Sequence, residues 1–321
     1  MRVTSPEMER FRRLAVASTV ATFVLIAIGG VVRATKSGLG CGTDWPDCSG
    51  ELLPPLASRA LAIEYSHRLM ASIVLLMLAG LAGLAVWRHR GSPAIMWPSI
   101  TAFGLVVFQA LLGAVVVKLE LQAVSVVLHL GTALLLVGVL VYLVAASSPG
   151  SDRPPKTDRS LSRRGAMLAG AVWLLLLSGS YVTGADAGYV FPDWPLMNGS
   201  LLPNLTVESY AIHWTHRVLA ALVGVLVVLF AVKVMRRKSD MPGAARLAHA
   251  VAGGYVLQIL IGAANIWSRL NAAVVTAHLL VGALLFGGLV GISVAVHPSL
   301  QRAGIEEPAG RGRPAFRAAT E

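Results

Sequence analysis

Four histidines occupy matched positions in the sequence, and their residue type is the one best suited to carry chemistry. His67 and His216 are 149 residues apart (216 − 67), and so are His129 and His278. Each lies in or at the edge of a long apolar stretch, where an ionisable side chain is costly and usually serves a function. The sequence therefore predicts two functional sites, each with one pair of histidines.

Two imidazoles at similar depth on two helices of a four-helix bundle suit the axial ligation of a haem between them. Imidazole also binds copper and zinc, but zinc normally takes three or four protein ligands, so two ligands per site favour haem. The structural alternative is a histidine that is satisfied by a hydrogen bond between helices. The position of each histidine in the first two turns of its apolar span favours ligation.

The matched spacing extends beyond the histidines and predicts an internal repeat without gaps. The tripeptide Asp44-Trp45-Pro46 recurs as Asp193-Trp194-Pro195. Further pairs at the same spacing are Gly30 and Gly179, Arg68 and Arg217, Gln109 and Gln258, and Gly113 and Gly262.

Composition indicates that these residues are carried by membrane-spanning helices. The chain is 55% hydrophobic and 13% charged, against about 25% charged residues in soluble proteins. Apolar runs of roughly 20 residues, long enough to span a bilayer, recur along the chain. We predict eight spans, at 14–32, 66–87, 97–117, 123–146, 165–182, 211–232, 247–266 and 272–296.

The predicted fold is an all-α integral membrane protein of two tandem four-helix bundles, 14–146 and 165–296. A polar, basic linker, 147–164, joins them. An even number of spans in each unit gives both copies the same orientation, as in parallel repeats. Segments 1–13 and 297–321 are predicted as cytoplasmic ends.

The distribution of basic residues accounts for the net charge of +11. With the N-terminus inside, the inner segments carry 20 Lys and Arg residues and the outer segments carry 5. This bias is the positive-inside pattern, and it places both termini in the cytoplasm. Attraction to anionic lipid explains the charge, so no nucleic-acid partner is needed.

Three repeated features surround the histidines. Gln109 and Gly113 lie on one helix face, as do Gln258 and Gly262, where a glycine lets a flat macrocycle or a second helix come close. Arg68 and Arg217 each follow a histidine and match carboxylate geometry, so they are candidate contacts for haem propionates; snorkelling to lipid headgroups is the alternative. The long outer loops, 33–64 and 183–210, are predicted to cover each bundle.

The two halves also differ, and the differences predict specialised sites. Glu64 precedes His67 by one helical turn, whereas the matched position holds His213. A chemical role for this carboxylate is one interpretation, and an ion pair with Arg68 or another cation is the alternative. Cys41 and Cys48 are the only cysteines, and they lie in the first outer loop, on the side where disulfides persist. A structural disulfide is the simplest interpretation; a redox role or a transient thiol contact with substrate stays open.

The chain resembles the haem A synthase family over residues 14–296. The resemblance lies in the stretches "GGVVRATKSGLGCGTDWPDC", "EYSHR", "LHLGTAL", "GADAGYVFPDWPLMNGSLLP", "HWTHR" and "AHLLVGAL". It implies oxidation of the C8 methyl group of haem O to a formyl group, through successive hydroxylations and loss of water. It also implies a resident haem b held by His216 and His278, with substrate haem O near His67 and His129 and a catalytic role for Glu64.

The resemblance further implies a bacterial plasma-membrane protein with its ligand histidines near the outer face. Expected partners are haem O, an electron donor or acceptor, a haem O synthase, cytochrome oxidase assembly factors and membrane lipid, and a homo-oligomer is left open. Two other functions would use the same four histidines. A cytochrome b-type quinol or electron carrier would not need Glu64 or the cysteines, and a haem transporter or chaperone would leave haem unchanged.

Overall fold

The computed structural model describes residues 5–148 and 156–298, and these residues form eight long helices. All eight are long and apolar enough to cross a membrane, which confirms the predicted all-helical membrane fold. The helices are α1 Pro6–Ala34, α2 Arg59–Arg88, α3 Pro93–Lys118, α4 Ala123–Ala146, α5 Arg159–Gly184, α6 Glu208–Met235, α7 Pro242–Trp267 and α8 Ala272–Ala295.

Helix α2 begins earlier than its apolar span predicts. Ser58 caps it, with its side chain accepting a hydrogen bond from the backbone N–H of Leu61, so the first turns extend beyond the apolar segment. His67 consequently lies in the third turn of α2, and His216 lies in the third turn of α6, which begins at Glu208. The prediction that all four histidines lie in the first two turns is therefore wrong for these two.

The helices pack as two groups of four. Helix α1 contacts α2 and α4, and α3 contacts both α2 and α4; helices α5 to α8 repeat this pattern. The two groups meet through α1, α4, α5 and α8. Trp173 of α5 donates a hydrogen bond of 2.9 Å to the carbonyl of Gly131 in α4 across this junction. These contacts agree with the proposed two-unit division, which stays a prediction, as does the membrane orientation.

The turns of the two halves match in backbone conformation. Ser49 and Asn198, 149 residues apart, both have positive φ angles, as do Leu121 and Leu270. Short antiparallel bridges also recur, between Cys48 and Glu51 and between Met197 and Ser200. The matched turns support an internal repeat.

The register of the repeat changes within the first outer loop, so the prediction of a repeat without gaps is wrong. Lys36 and Asp186, which follow α1 and α5, share positive φ angles at an offset of 150 residues (186 − 36). Trp45 and Trp194 return to an offset of 149 (194 − 45), and each precedes its proline through a cis bond. The first loop thus has one extra residue between the helix end and the tripeptide, and Gly29 rather than Gly30 is the counterpart of Gly179.

The first outer loop lies directly on the start of α2. A Cβ atom on Gly40 would come within 2.5 Å of the Ala60 backbone, so this close approach requires glycine. On the opposite side of the bundle, His89 at the end of α2 is buried, and its ring contacts Phe11 edge-on at 5.4 Å. Burial lowers the pKa of the His89 imidazole.

Candidate functional site

Each of the four matched histidines rests against a glycine of a neighbouring helix. A Cβ atom added to Gly29 or Gly179 would lie 3.1 Å from Cε1 of His67 and 2.9 Å from Cε1 of His216, respectively. For the second histidine of each pair, a Cβ atom added to Gly113 would lie 3.4 Å from Cε1 of His129, and one added to Gly262 would lie 3.2 Å from Cε1 of His278. A side chain at Gly29, Gly179 or Gly262 would crowd the adjacent ring, so these glycines help to set the position of the imidazole that they contact.

The repeated glutamines secure the helices that carry the second histidine of each pair. Gln109 donates a hydrogen bond of 3.0 Å from Nε2 to the carbonyl of His129, and it also contacts the Thr132 hydroxyl. Gln258 donates a bond of 2.9 Å to the carbonyl of His278. The Gln and Gly of each motif therefore act together: the amide ties α3 to α4, or α7 to α8, and the glycine makes room for the ring one turn away.

The imidazole atoms fit a group that binds through Nε2. Within residues 5–148 and 156–298, the Nε2 atoms of the four rings make no hydrogen bond. These Nε2 atoms are accessible rather than buried. Nδ1 is buried without a partner in His67, His129 and His278. The rings of His67 and His129 lie within electrostatic range of each other, as do those of His216 and His278. Two pairs of imidazoles, one from α2 and α4 and one from α6 and α8, suit ligation of a haem.

Glu64 is buried at 3% exposure, and its carboxylate binds the outer loop and Arg68. Its Oε1 accepts hydrogen bonds of 3.2 and 2.5 Å from Nε and Nη2 of Arg68. Its Oε2 accepts a bond of 2.8 Å from the backbone N–H of Cys41. The carboxylate thus links the start of α2 to the first cysteine of the loop.

Arg68 extends this link to the rest of the loop. Its Nη1 donates to the carbonyls of Asp44 and Asp47, at 2.8 and 2.7 Å. The guanidinium therefore binds the tripeptide loop, and a contact with haem propionates stays a prediction.

The second half repeats the arrangement with histidine in place of glutamate. Arg217 donates from Nε to Nε2 of His213 at 3.0 Å and from Nη1 to the carbonyls of Asp193 and Leu196. The other ring nitrogen of His213 is 2.8 Å from the carbonyl of Ala187, which a protonated Nδ1 satisfies. Both arginines anchor their loops, but only the first half does so with a carboxylate.

The loops are also closed differently. Cys41 and Cys48 form a disulfide, with their Cα atoms 4.7 Å apart, and both residues are buried. In the second loop Phe191 is fully buried, with its ring centroid 5.3 Å from that of His213. The carboxylate of Asp193 accepts bonds from the backbone N–H groups of Gly199 and Asn198, which hold the pKa of Asp193 below its ordinary value.

Sequence reasoning identified the histidines, glutamines, arginines and Glu64, but it missed two of their neighbours. Gly29 was missed because the fixed offset of 149 pointed to Gly30 instead. Ser178, whose hydroxyl lies 2.8 Å from Nδ1 of His216, has no counterpart in the first half under either offset. Ser178 directly precedes Gly179, so the contact of Gly179 with the His216 ring must be known before the sequence can indicate that Ser178 lies near the same ring.

Comparison with known proteins adds an independent result. The family described as cytochrome oxidase assembly protein (COX15-CtaA) matches residues 12–62 and 57–290. Heme A synthase from Staphylococcus aureus strain JH9 is 28% identical over 281 residues, covering 85% of this chain and 90% of the relative. The protein of the same name from strain Newman gives the same values. With matches extending over both halves, the chain belongs to the cytochrome oxidase assembly protein family.

Proposed function

We propose that this membrane protein is a haem A synthase, which oxidises the C8 methyl group of haem O to a formyl group. The observation that carries the proposal is the presence of two histidine pairs, one in each helix group. Every ring contacts a glycine, and no Nε2 atom of these rings forms a hydrogen bond among the described residues. Relatives named heme A synthase cover most of the chain, which supports the same function.

The second pair holds the resident haem b in this proposal. His216 and His278 would hold this haem through their imidazoles, and Gln258 fixes the backbone of α8 at His278. In this half the loop contacts come from His213 and Arg217, and His213 stands at the position that matches Glu64. A site that only binds haem and passes electrons needs no acid or base.

The first pair receives haem O. His67 and His129 bind the substrate, and Gln109 fixes the backbone of α4 at His129. Bound haem supplies the redox chemistry that oxidation of an unactivated methyl group requires, because side chains alone cannot provide it.

Glu64 is assigned to the first site as a positioning residue. Its carboxylate and Arg68 hold the disulfide-closed loop on the start of α2. A closed loop excludes water and fixes the substrate, both of which favour reaction at one position. Direct proton transfer by Glu64 stays a prediction, since no hydrogen bond joins its carboxylate to His67 in the described residues.

The same proposal covers the location and the partners. The proposed location is the bacterial plasma membrane with the histidines towards the outer face, and the excess of Lys and Arg in the inner segments supports this orientation. Haem O reaches the site from the membrane, so a haem O synthase is the expected upstream partner. Cytochrome oxidase assembly factors are the expected recipients of the product, and an electron donor or acceptor serves the resident haem.

Pigment analysis tests the function. The chain is expressed in membranes that contain haem O and lack haem A, and the haems are extracted and separated. We expect haem A to accumulate only when the chain is present. Unchanged haem O together with quinol-dependent reduction of bound haem would identify an electron carrier, and unchanged haem O without such reduction would identify a haem-binding transporter.

A further inference from the structure

The hydroxyl group of Ser178 fixes the proton position on His216. Ser178 Oγ lies 2.8 Å from the carbonyl oxygen of Leu175 and 2.8 Å from Nδ1 of His216. A serine hydroxyl has one proton, and the Leu175 carbonyl can only accept it. The oxygen must therefore accept a hydrogen bond from Nδ1–H of His216. Nδ1 of His216 therefore carries the proton, and the lone pair is on Nε2, the atom that would bind iron.

The other three histidines of the two pairs lack this partner. Nδ1 of His67, His129 and His278 is buried with no hydrogen bond among the described residues. At the 150-residue offset that relates α1 to α5, the position of Ser178 is occupied by Ile28, whose side chain has no hydrogen-bond acceptor. Ile28 directly precedes Gly29, just as Ser178 precedes Gly179, and both glycines contact the corresponding ring.

We infer that Ser178 is a positioning residue that makes the His216–His278 pair the permanent haem site. The inference rests on the ligation proposed above. A hydrogen bond from Nδ1–H fixes the ring orientation and increases the basicity of the ligating nitrogen. A more basic ligand stabilises the oxidised iron and lowers the midpoint potential. The first pair lacks this support, so it binds haem more weakly and can exchange substrate for product.

Ser178→Ala removes the acceptor without adding volume and tests the inference in the purified protein with its resident haem. We expect the midpoint potential of that haem to rise, with a tenfold change in the relative stability of the two oxidation states corresponding to about 59 mV for one electron. We also expect haem transfer to apomyoglobin to become about 10- to 100-fold faster. Ser178→Thr keeps the hydroxyl, so its midpoint potential and haem transfer rate should match those of the unchanged protein.

Ile28→Ser provides the reciprocal test and leaves the second half untouched. It should give His67 the missing acceptor and slow the release of haem O from the first site, measured by the same transfer assay. This variant keeps the inference testable if Ser178→Ala does not fold.

Two results separate this inference from the proposed ligation. An unchanged potential and an unchanged transfer rate in Ser178→Ala would overturn the role of Ser178 and leave the ligation intact. An unchanged haem spectrum in His216→Ala would instead overturn the ligation on which the inference rests.

Discussion

Replacing Glu64 by glutamine should open the first outer loop. The carboxylate is almost fully enclosed, and both of its oxygens are used, Oε1 by Arg68 and Oε2 by the Cys41 N–H. Glutamine has a single acceptor oxygen. In either orientation its NH₂ group therefore faces a donor, and one of the two contacts is lost.

The size of the effect follows from the contact that is lost. Hydrogen bonds to charged groups contribute about 1.5–3 kcal/mol, and Arg68 keeps its own bonds to the carbonyls of Asp44 and Asp47. We therefore expect loop closure to weaken by about 2 kcal/mol, which corresponds to a roughly 30-fold larger open population. Hydrogen exchange measured by mass spectrometry should show the Cys41 amide exchanging about 30-fold faster.

Two controls isolate the cause. Glu51→Gln makes the same charge change in the same loop at an exposed side chain, and it should leave the exchange of Cys41 unchanged. Arg68→Gln removes the same ion pair and both carbonyl contacts, so exchange should be at least as fast as in Glu64→Gln. In both Glu64→Gln and Arg68→Gln the second loop, 185–207, should be unaffected. Normal exchange of the Cys41 amide in Glu64→Gln would refute the anchoring argument.

Two further predictions concern the disulfide and the glycines that support the ligands. In protein purified without reductant, Cys41 and Cys48 should both resist alkylation. Because the loop is short, the disulfide should stabilise the folded state by an amount near the low end of the usual range of about 2–4 kcal/mol. Two freely alkylated thiols would contradict the bond. In Gly262→Val the new side chain should displace the His278 ring, because a Cβ atom at this position lies 3.2 Å from Cε1 of that ring. Overpacking of this kind costs about 1–3 kcal/mol, so haem b affinity should fall by about tenfold or more. Gly253→Val on the same helix meets no atom within 4 Å and should bind haem b normally; equal haem loss in the two variants would show that ring displacement is not the cause.

The helices and the paired histidines could be predicted because their signals are local or periodic. Apolar runs of membrane length specify helices directly, and the duplicated His, Gln and Gly residues can be aligned by eye. The contact of Gln109 with the His129 backbone follows the same logic, since residues on one helix face meet the neighbouring helix together.

The register of α1 could not be predicted from a constant offset. The extra residue lies in an irregular loop, where the insertion of one residue changes no hydrophobic pattern. The positive φ angles of Lys36 and Asp186, together with the contacts of Gly29 and Gly179 with their histidines, show which positions correspond.

The second partner of Glu64, the backbone N–H of Cys41, could not be predicted for a different reason. Helical spacing places the Glu64 side chain about one turn from both His67 and Arg68. The structure shows the ion pair with Arg68, which is favoured because a buried carboxylate without a partner is costly. The bond to Cys41 joins residues 23 positions apart through a loop, and sequence spacing does not determine loop geometry.

The central claim is that the two histidine pairs have different tasks, and a comparison of four alanine variants tests it most directly. Each histidine is replaced in turn, and haem b content, its low-spin spectrum and the conversion of haem O are measured on the same membranes. His216→Ala and His278→Ala should lose the low-spin haem b signal, because each leaves one axial position empty. His67→Ala and His129→Ala should keep that signal and lose conversion of haem O. An unchanged low-spin spectrum in both His216→Ala and His278→Ala would contradict the account.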